Sequence, residues 1–439
     1  MTKSTRKRLF YGLLIAFVVL GGSMVFYAQG WRLDLTSFKI KKVGAIFVRS
    51  FPLNATIYLD NKPVENKSWF LQSGTLINNL FPKNYKLKLE LNGYHSWQEN
   101  VSVVPTLVTE VKYAVLVPRN PETVATATIK TFWLFGDNII LEDENNNLLL
   151  QGRKIGKGEV LGWTNDNKYI LAVDQKINSY FLNDVESGHN TNLNSAFKKL
   201  AFNTKERFQI FVDSFDKRHL IVAEAAKISL LDTEKFTLTT IYQIKKGEVG
   251  EKIAASQFLL TWTKFNKEQN TSDLVIYDKF IKNIRGDTPN LKGKNLKLEW
   301  VSTNQVAVLQ DDGALYLYEV AGNQLKKLAD DVKSFKFTND LTAVAAVENN
   351  ALEIIPLGKG SYYKFNLPDI KTAKEAVWYF DNNHLFVGYP NEIKFLDLND
   401  GAVQNFLTVA GSRLFEYDEK TNTLYFTANN NLYSLGFPR

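Results

Sequence analysis

The chain of 439 residues contains no cysteine and only four histidines, His95, His189, His219 and His384, which lie far apart. The first absence excludes a disulfide framework, a thiolate zinc site and a cysteine nucleophile. The second removes most of the usual ligands of metal and acid–base chemistry. Also missing are a Gly-x-x-x-x-Gly-Lys-Ser/Thr phosphate loop, a Gly-x-Ser-x-Gly nucleophile elbow and a His-Glu-x-x-His zinc helix. Residues 152–158 carry glycines and lysines, but not at the phosphate-loop spacing. There is no extended basic block: four of the seven net positive charges sit on Lys3, Arg6, Lys7 and Arg8, with no acid among the first eight residues. The remainder is mixed in sign, so the chain lacks the dense footprint that neutralises phosphates, and nucleic acid is excluded as a partner. With 45% hydrophobic and 23% charged residues the composition is globular, and the length fits two or three domains.

Directly after the basic tip comes a run of twenty uncharged residues, LFYGLLIAFVVLGGSMVFYA, from Leu9 to Ala28. A helix of about 20 apolar residues spans the hydrocarbon core of a bilayer. A cleaved signal peptide has a shorter apolar region and small residues before the cut, whereas Phe26 stands where a small residue would be needed. The reading is therefore an uncleaved, single-pass signal anchor over 9–28. Residues 1–8 are expected to stay in the cytoplasm under the positive-inside rule, despite Arg32, Lys39, Lys41 and Lys42 on the far side. Tyr27 and Trp31 then fall at the outer interface, and everything beyond is expected outside the cytoplasm, extracellular or periplasmic.

From 43 to 118 the pattern switches to period two. Leu87, Leu89 and Leu91 alternate with Lys86, Lys88 and Glu90, and Leu107, Thr109, Val111, Tyr113 and Val115 alternate in the same way. Ile57 and Leu59 form a shorter run ending at the turn pair Asp60-Asn61. Such half-buried strands, bounded by Asn, Gly and Pro, predict a small antiparallel sheet or sandwich. These residues resemble the PEGA domain of bacterial surface proteins. Ser50, Pro52, Asn54 and Ala55 match its name-giving stretch. The strand-turn Tyr58-Leu59-Asp60-Asn61-Lys62 and the signature Gly93, Tyr94 and Trp97 come in the family's order. Asn54, Asn61 and Asn84 stand where the family has glycine, and Asn tolerates positive φ best after glycine. The resemblance implies a cell-envelope module rather than an enzyme.

Pro118-Arg119-Asn120-Pro121 reads as a linker into the remaining 122–439. There an aromatic residue, a short Asn/Asp/Lys turn, an apolar run and a second run ending near Asp recur at intervals of about 30–50 residues, the size of a propeller blade. Clear copies begin at Trp163-Thr164-Asn165-Asp166, Phe215-Asp216-Lys217-Arg218-His219, Trp300, Phe337, Tyr379-Phe380-Asp381-Asn382-Asn383 and Tyr417, with weaker ones near Phe135 and Ser256. Each resembles the Trp-Ser-x-Asp-Gly blade signature of TolB-type and WD40-like β-propellers. Seven or eight blades are expected, the last completed by a strand from just after Pro121. The fold class is thus all-β behind one transmembrane helix.

No catalytic, metal or cofactor-binding residue is assigned. The oxygen-rich 142–147 lacks the spacing and central glycine of a calcium loop and reads as a solvated hairpin. Trp163, Trp262, Trp300 and Trp378 read as blade packing. The functional expectation is a membrane-anchored binding or scaffold protein of the cell envelope. Its propeller would be a platform for an envelope protein, the preferred partner, or a cell-surface glycan; its small module would act as spacer or wall contact. The alternative is a polysaccharide hydrolase or lyase using two carboxylates in the propeller channel, at separations of about 5–10 Å.

Overall fold

A computed structural model describes residues 3–35, 38–68, 73–126, 128–164, 166–199, 208–213, 216, 218–224, 226–244, 248–294, 296–398, 406–412 and 414–438. Asn165, Phe215 and Lys217 of the repeat pattern lie outside the described residues. Helix α1 (Lys3–Ala28) is long and apolar enough to cross a bilayer and buries none of its apolar window against the rest of the chain. An apolar surface on all sides of a helix must be covered by something other than water. Within that window the Ser23 hydroxyl donates to the Val19 carbonyl at 2.7 Å, so the helix itself satisfies it. Gly30, at φ 83°, turns the chain into a two-stranded ribbon, β1 (Trp31–Asp34) and β2 (Lys39–Lys42).

Two sheets then face each other around one core. The first orders β6 (Thr75–Leu80), β3 (Gly44–Phe51) and β9 (Val108–Val115); the second orders β5 (Lys62–Val64), β4 (Thr56–Leu59), β7 (Asn84–Glu90) and β8 (Trp97–Ser102). The alternating leucines behave as read: Leu87 and Leu89 are fully buried with Ile46, Val48, Ile57, Val111 and Trp97. One expectation is corrected. The sandwich is not wholly antiparallel, because β3 and β9 pair in parallel. Alternation identifies which face of a strand is buried; it does not identify the partner or its direction. A second correction concerns the asparagines. Asn61, beside Asp60, takes positive φ (62° and 49°) in the β4–β5 hairpin, whereas Asn54 and Asn84 do not.

The rest is a ring of eight four-stranded antiparallel blades among the described residues: 129–157, 159–192, 208–243, 248–292, 297–329, 332–365, 375–410 and, last, 415–436. The eighth has three strands of its own and takes its outer fourth from β10 (Glu122–Ala125), which pairs with the final strand and closes the ring. Each adjacent pair of blades shares its own apolar cluster, including one between blades eight and one. This is how strands too short to bury both faces alone are stabilised by repetition. At the glycine place of the blade signature, Asn167, Leu341 and Asn382 all adopt left-handed φ (54°, 56° and 57°). The strained Leu341 turn is held by Thr338, whose Oγ1 accepts the Thr342 and Ala343 amides at 3.0 and 3.1 Å. The tryptophans pack between blades as read, with Trp262 buried and Trp163 set edge-on to Phe135 at 5.7 Å.

Sandwich and propeller are joined by a built junction. The 118–121 segment is not free along its length, since Arg119 N–H donates to the Gly93 carbonyl and Tyr94 bridges to Pro118. Phe51, Val115 and Val117 at the end of the sandwich enter the apolar seam between blades seven and eight, against Tyr379, Phe386 and Phe437. Trp97, from the sandwich core, donates its indole N–H to Asp397 Oδ2 of blade seven at 3.1 Å.

Candidate functional cleft between sandwich and propeller

The docking leaves a cleft of about 420 Å³ between β9 and the turns of blades six and seven. On one side stand Lys112 and Tyr113 of β9; on the other Thr342, Tyr363, Trp378 and Asn382. Its floor is the junction itself, Trp97 and Asp397. The alternation expected of β9 breaks at a register shift between Val111 and Ala114, so both of these are buried while Tyr113, between them, is left 49% exposed at the cleft. Trp378 is fixed from behind: its indole donates to the Lys336 carbonyl of the neighbouring blade at 2.8 Å, which sets the ring plane. Tyr363 stacks on Phe365, ring centres 6.2 Å apart. Aromatic faces, amides and hydroxyls therefore converge in one concavity at a domain boundary, where ligand sites concentrate.

Beneath the floor lies a charged group that the sequence reading placed only in a turn. His384 is fully buried, with Nδ1 2.8 Å from Asp381 Oδ2 and Nε2 3.8 Å from Asp397 Oδ1. Nε2 makes no well-formed hydrogen bond, and the Tyr113 carbonyl is near enough to favour the protonated ring. Burial opposes protonation of this imidazole, but Asp381 and Asp397 outweigh it, and its pKa is raised above the ordinary value. The ring lies flat on Phe395, centroids 5.0 Å apart.

A second group of titratable side chains lines the inner strands of the ring. Glu375 and Glu416 are on the inner strands of blades seven and eight, where the charge of Glu375 acts on Glu416 and Lys336 acts on both. Burial pushes the Glu416 carboxyl up to about 7, Glu375 adds to the rise and Lys336 opposes it. Burial likewise raises Glu375, against Lys297, Lys374 and Lys336. A carboxyl that stays protonated near neutrality can donate a proton, which is the property a general acid requires.

Of the PEGA-like positions, only Trp97 reaches the cleft. Ser50 is buried and donates to the Pro52 carbonyl at 2.7 Å, beside the cis Phe51-Pro52 bond; Ala55 is in the core and Asn54 is exposed. Asp60 accepts from Lys83 Nζ at 2.6 Å and from the Lys86 amide at 2.9 Å, contacts that hold its carboxyl below the usual range. Gly93, at φ 83°, and Tyr94 turn the chain toward Pro118. Arg6, Lys7 and Arg8 are exposed on the first turns of α1, where Lys3 also begins the helix; Tyr27 and Trp31 flank its other end. The 142–147 stretch is a hairpin turn, with Asp143 Oδ1 accepting the Asn145 and Asn147 amides at 2.9 and 2.7 Å. Among the described residues no group of three or more His, Asp or Glu side chains is arranged to hold a metal. Asp397, His384, Tyr113 and the Glu375–Glu416 pair were missed by sequence reasoning. The one available signal was the recurrence of Asp-x-x-His at Asp216–His219 and Asp381–His384.

No protein-family model and no curated sequence matches the chain. Among solved structures it is similar to an oligogalacturonate lyase from Vibrio parahaemolyticus (12% identity, TM-score 0.44, 72% of this chain and 99% of that one). It is also similar to an oligogalacturonate lyase in complex with manganese (12%, 0.42, 74% and 97%) and to Kuenenia stuttgartiensis hydrazine synthase (13%, 0.40, 62% and 94%). TM-scores of this size carry no argument about chemistry, and the ring is read from the chain's own sheets.

Proposed function

We propose that this chain is a membrane-tethered binding protein of the cell envelope that holds a short segment of glycan in the cleft between its sandwich and its propeller. α1 tethers the chain, and the sandwich, besides raising the propeller from the membrane, supplies one wall of the site. The observation that carries the reading is the cleft's chemistry and size: Tyr113, Tyr363 and Trp378 among amides and hydroxyls, in about 420 Å³. That volume falls in the range of small-ligand sites, roughly 300–1,000 Å³. A stable protein partner instead needs about 800 Å² of each surface. Stacking rings with fixed amides suit an uncharged sugar face better than a protein surface. The experiment is co-sedimentation of the full chain, embedded in nanodiscs, with purified cell-wall polymer from its host. Saturable binding that weakens about tenfold in Tyr113→Ala/Tyr363→Ala, a loss of about 1.4 kcal/mol, supports the reading. Binding that is absent, or unchanged in that variant, overturns it.

A second reading is favoured by Glu416 and Glu375. A carboxyl with a pKa of about 7 beside a second carboxyl is the arrangement that glycan-cleaving acid–base chemistry uses. Release of new sugar ends by the wild-type chain, abolished in Glu416→Gln, would assign cleavage rather than binding.

A further inference from the structure

The β1–β2 ribbon has two chemically distinct faces. Its register pairs Trp31 with Lys42, Arg32 with Lys41, Leu33 with Ile40 and Asp34 with Lys39. Side chains alternate along each strand, so Arg32, Asp34, Lys39 and Lys41 share one face while Trp31, Leu33, Ile40 and Lys42 share the other. The first face is turned to the protein. Arg32 Nη2 donates to Asn79 Oδ1 of β6 at 2.9 Å, and Lys41 Nζ lies 2.8 Å from the largely buried Asp34. Beyond Trp31 and Lys42, the second face is uncovered among the described residues. Leu33 is 54% exposed and Ile40 56%, and the strands lead on to Leu35 at 73% and Phe38 at 82%. Leu33 and Ile40 are paired on one side of the ribbon, with Leu35 and Phe38 exposed at its end, a cluster of large apolar side chains rather than the scattered exposure common on protein surfaces.

The place where the ribbon is fixed decides what lies against that patch. It begins three residues after α1 ends, and it is bound to the helix end by side chains. Phe26 and Trp31 stack with ring centres 5.4 Å apart, and the Arg32 guanidinium lies 3.4 Å from the centre of the Tyr27 ring while donating to the Tyr27 carbonyl at 2.7 Å. A ribbon locked to the last turn of a membrane-spanning helix sits at the level of the lipid headgroups. Lys42, over the Trp31 ring at 5.1 Å, lies on the apolar face, and lipid phosphate is the complementary charge for it.

We propose that the β1–β2 ribbon is a second membrane contact, its Leu33 and Ile40 face and the Leu35 and Phe38 side chains at its end seated in the headgroup region of the leaflet where α1 ends, with Lys42 on lipid phosphate. Trp31 then marks the boundary between span and ribbon. The contact sets the height and tilt at which the sandwich, held through Arg32 and Asn79, stands on the bilayer. The proposal rests on α1 spanning the membrane.

The absence of cysteine makes the test direct. Single substitutions Val19→Cys in α1, Leu35→Cys and Phe38→Cys in the ribbon, and Phe280→Cys on the propeller surface are labelled with an environment-sensitive fluorophore. Each full-length variant is reconstituted in phosphatidylethanolamine–phosphatidylglycerol vesicles containing lipids with a spin label at shallow or deep acyl positions. Val19 should be quenched most by the deep label, and Leu35 and Phe38 by the shallow one, losing roughly half their emission for insertion of about 5–10 Å. Phe280 should be quenched by neither. A quenched Val19 with Leu35 and Phe38 as bright as Phe280 would overturn the ribbon contact alone. An unquenched Val19 would overturn the spanning reading and the ribbon contact with it.

Discussion

Blades three and seven carry the same local device in opposite surroundings. In each, an aspartate three residues ahead of a histidine holds its Nδ1: Asp216 to His219 at 2.9 Å and Asp381 to His384 at 2.8 Å. In each, a second aspartate at the end of the following strand faces Nε2: Asp232 at 4.0 Å and Asp397 at 3.8 Å. The His219 side chain is 35% exposed, and its distal aspartate is satisfied by a neighbour in sequence, the Arg218 guanidinium at 2.7–2.8 Å. That contact holds the Asp232 carboxyl well below the usual range. The His384 side chain is 1% exposed, and its distal aspartate is satisfied by Trp97, from another domain three hundred residues away. The motif is therefore blade scaffolding in origin. What turns it into a junction is that blade seven has no arginine before its histidine (Asn383 stands there), so Asp397 is open to a donor from the sandwich.

The contrast is broken most forcefully at Trp97. Trp97→Ala should cost about 3–5 kcal/mol, the range for deleting a buried aromatic side chain, and should split one denaturant transition into separate sandwich and propeller transitions. Asp397→Ala comes next. It leaves the buried Trp97 N–H without its acceptor and removes one of the two carboxylates facing His384, a loss of about 3 kcal/mol in the same unfolding measurement, whereas Asp232→Ala, with solvent able to reach Arg218, should shift the midpoint far less. pH sharpens the comparison further. The folded-state pKa of His384 is raised, so its stabilising contribution is complete below the ordinary imidazole value of about 6.5 and is lost as pH climbs through the folded value. The groups around it, Asp381, Asp397 and the Tyr113 carbonyl, all favour the charged ring. Melting temperature should therefore decline on the alkaline side in the wild type, and His384→Gln should remove that component. Arg218→Ala should produce the smallest change, because the guanidinium is 37% exposed and Asp232 keeps the Glu234 and Lys235 amides as donors while water takes the place of the arginine.

Much of this architecture was legible in the sequence because it depends on short-range pattern. Twenty uncharged residues need no partner to declare a helix, and the blade turns repeat a chemistry of Asp, Thr and left-handed Asn that survives the loss of glycine. The missed features depend on distance in space. Trp31–Asp34 and Lys39–Lys42 are strands of four residues, rich in charge, and neither alone carries a countable alternation. The parallel pairing of β3 with β9 leaves the same alternation as an antiparallel one. Trp97 was read as a signature of its module, yet its N–H partner, Asp397, ends a blade-seven strand that nothing in the sequence links to it. Glu375 and Glu416 look like ordinary strand acids until adjacent blades bring them together around the ring.

Sandwich and propeller, on this reading, form one binding site with two walls. Equilibrium binding of a fluorescent fragment of host cell-wall glycan to the full-length protein in nanodiscs tests it, comparing Tyr113→Ala in the sandwich with Tyr363→Ala in blade six. Each single change should weaken binding by roughly threefold to tenfold, since each removes a stacking face from one wall, with Phe280→Ala as an unaffected reference. If either tyrosine variant binds as tightly as wild type, the ligand touches only one domain and the two-walled site is contradicted.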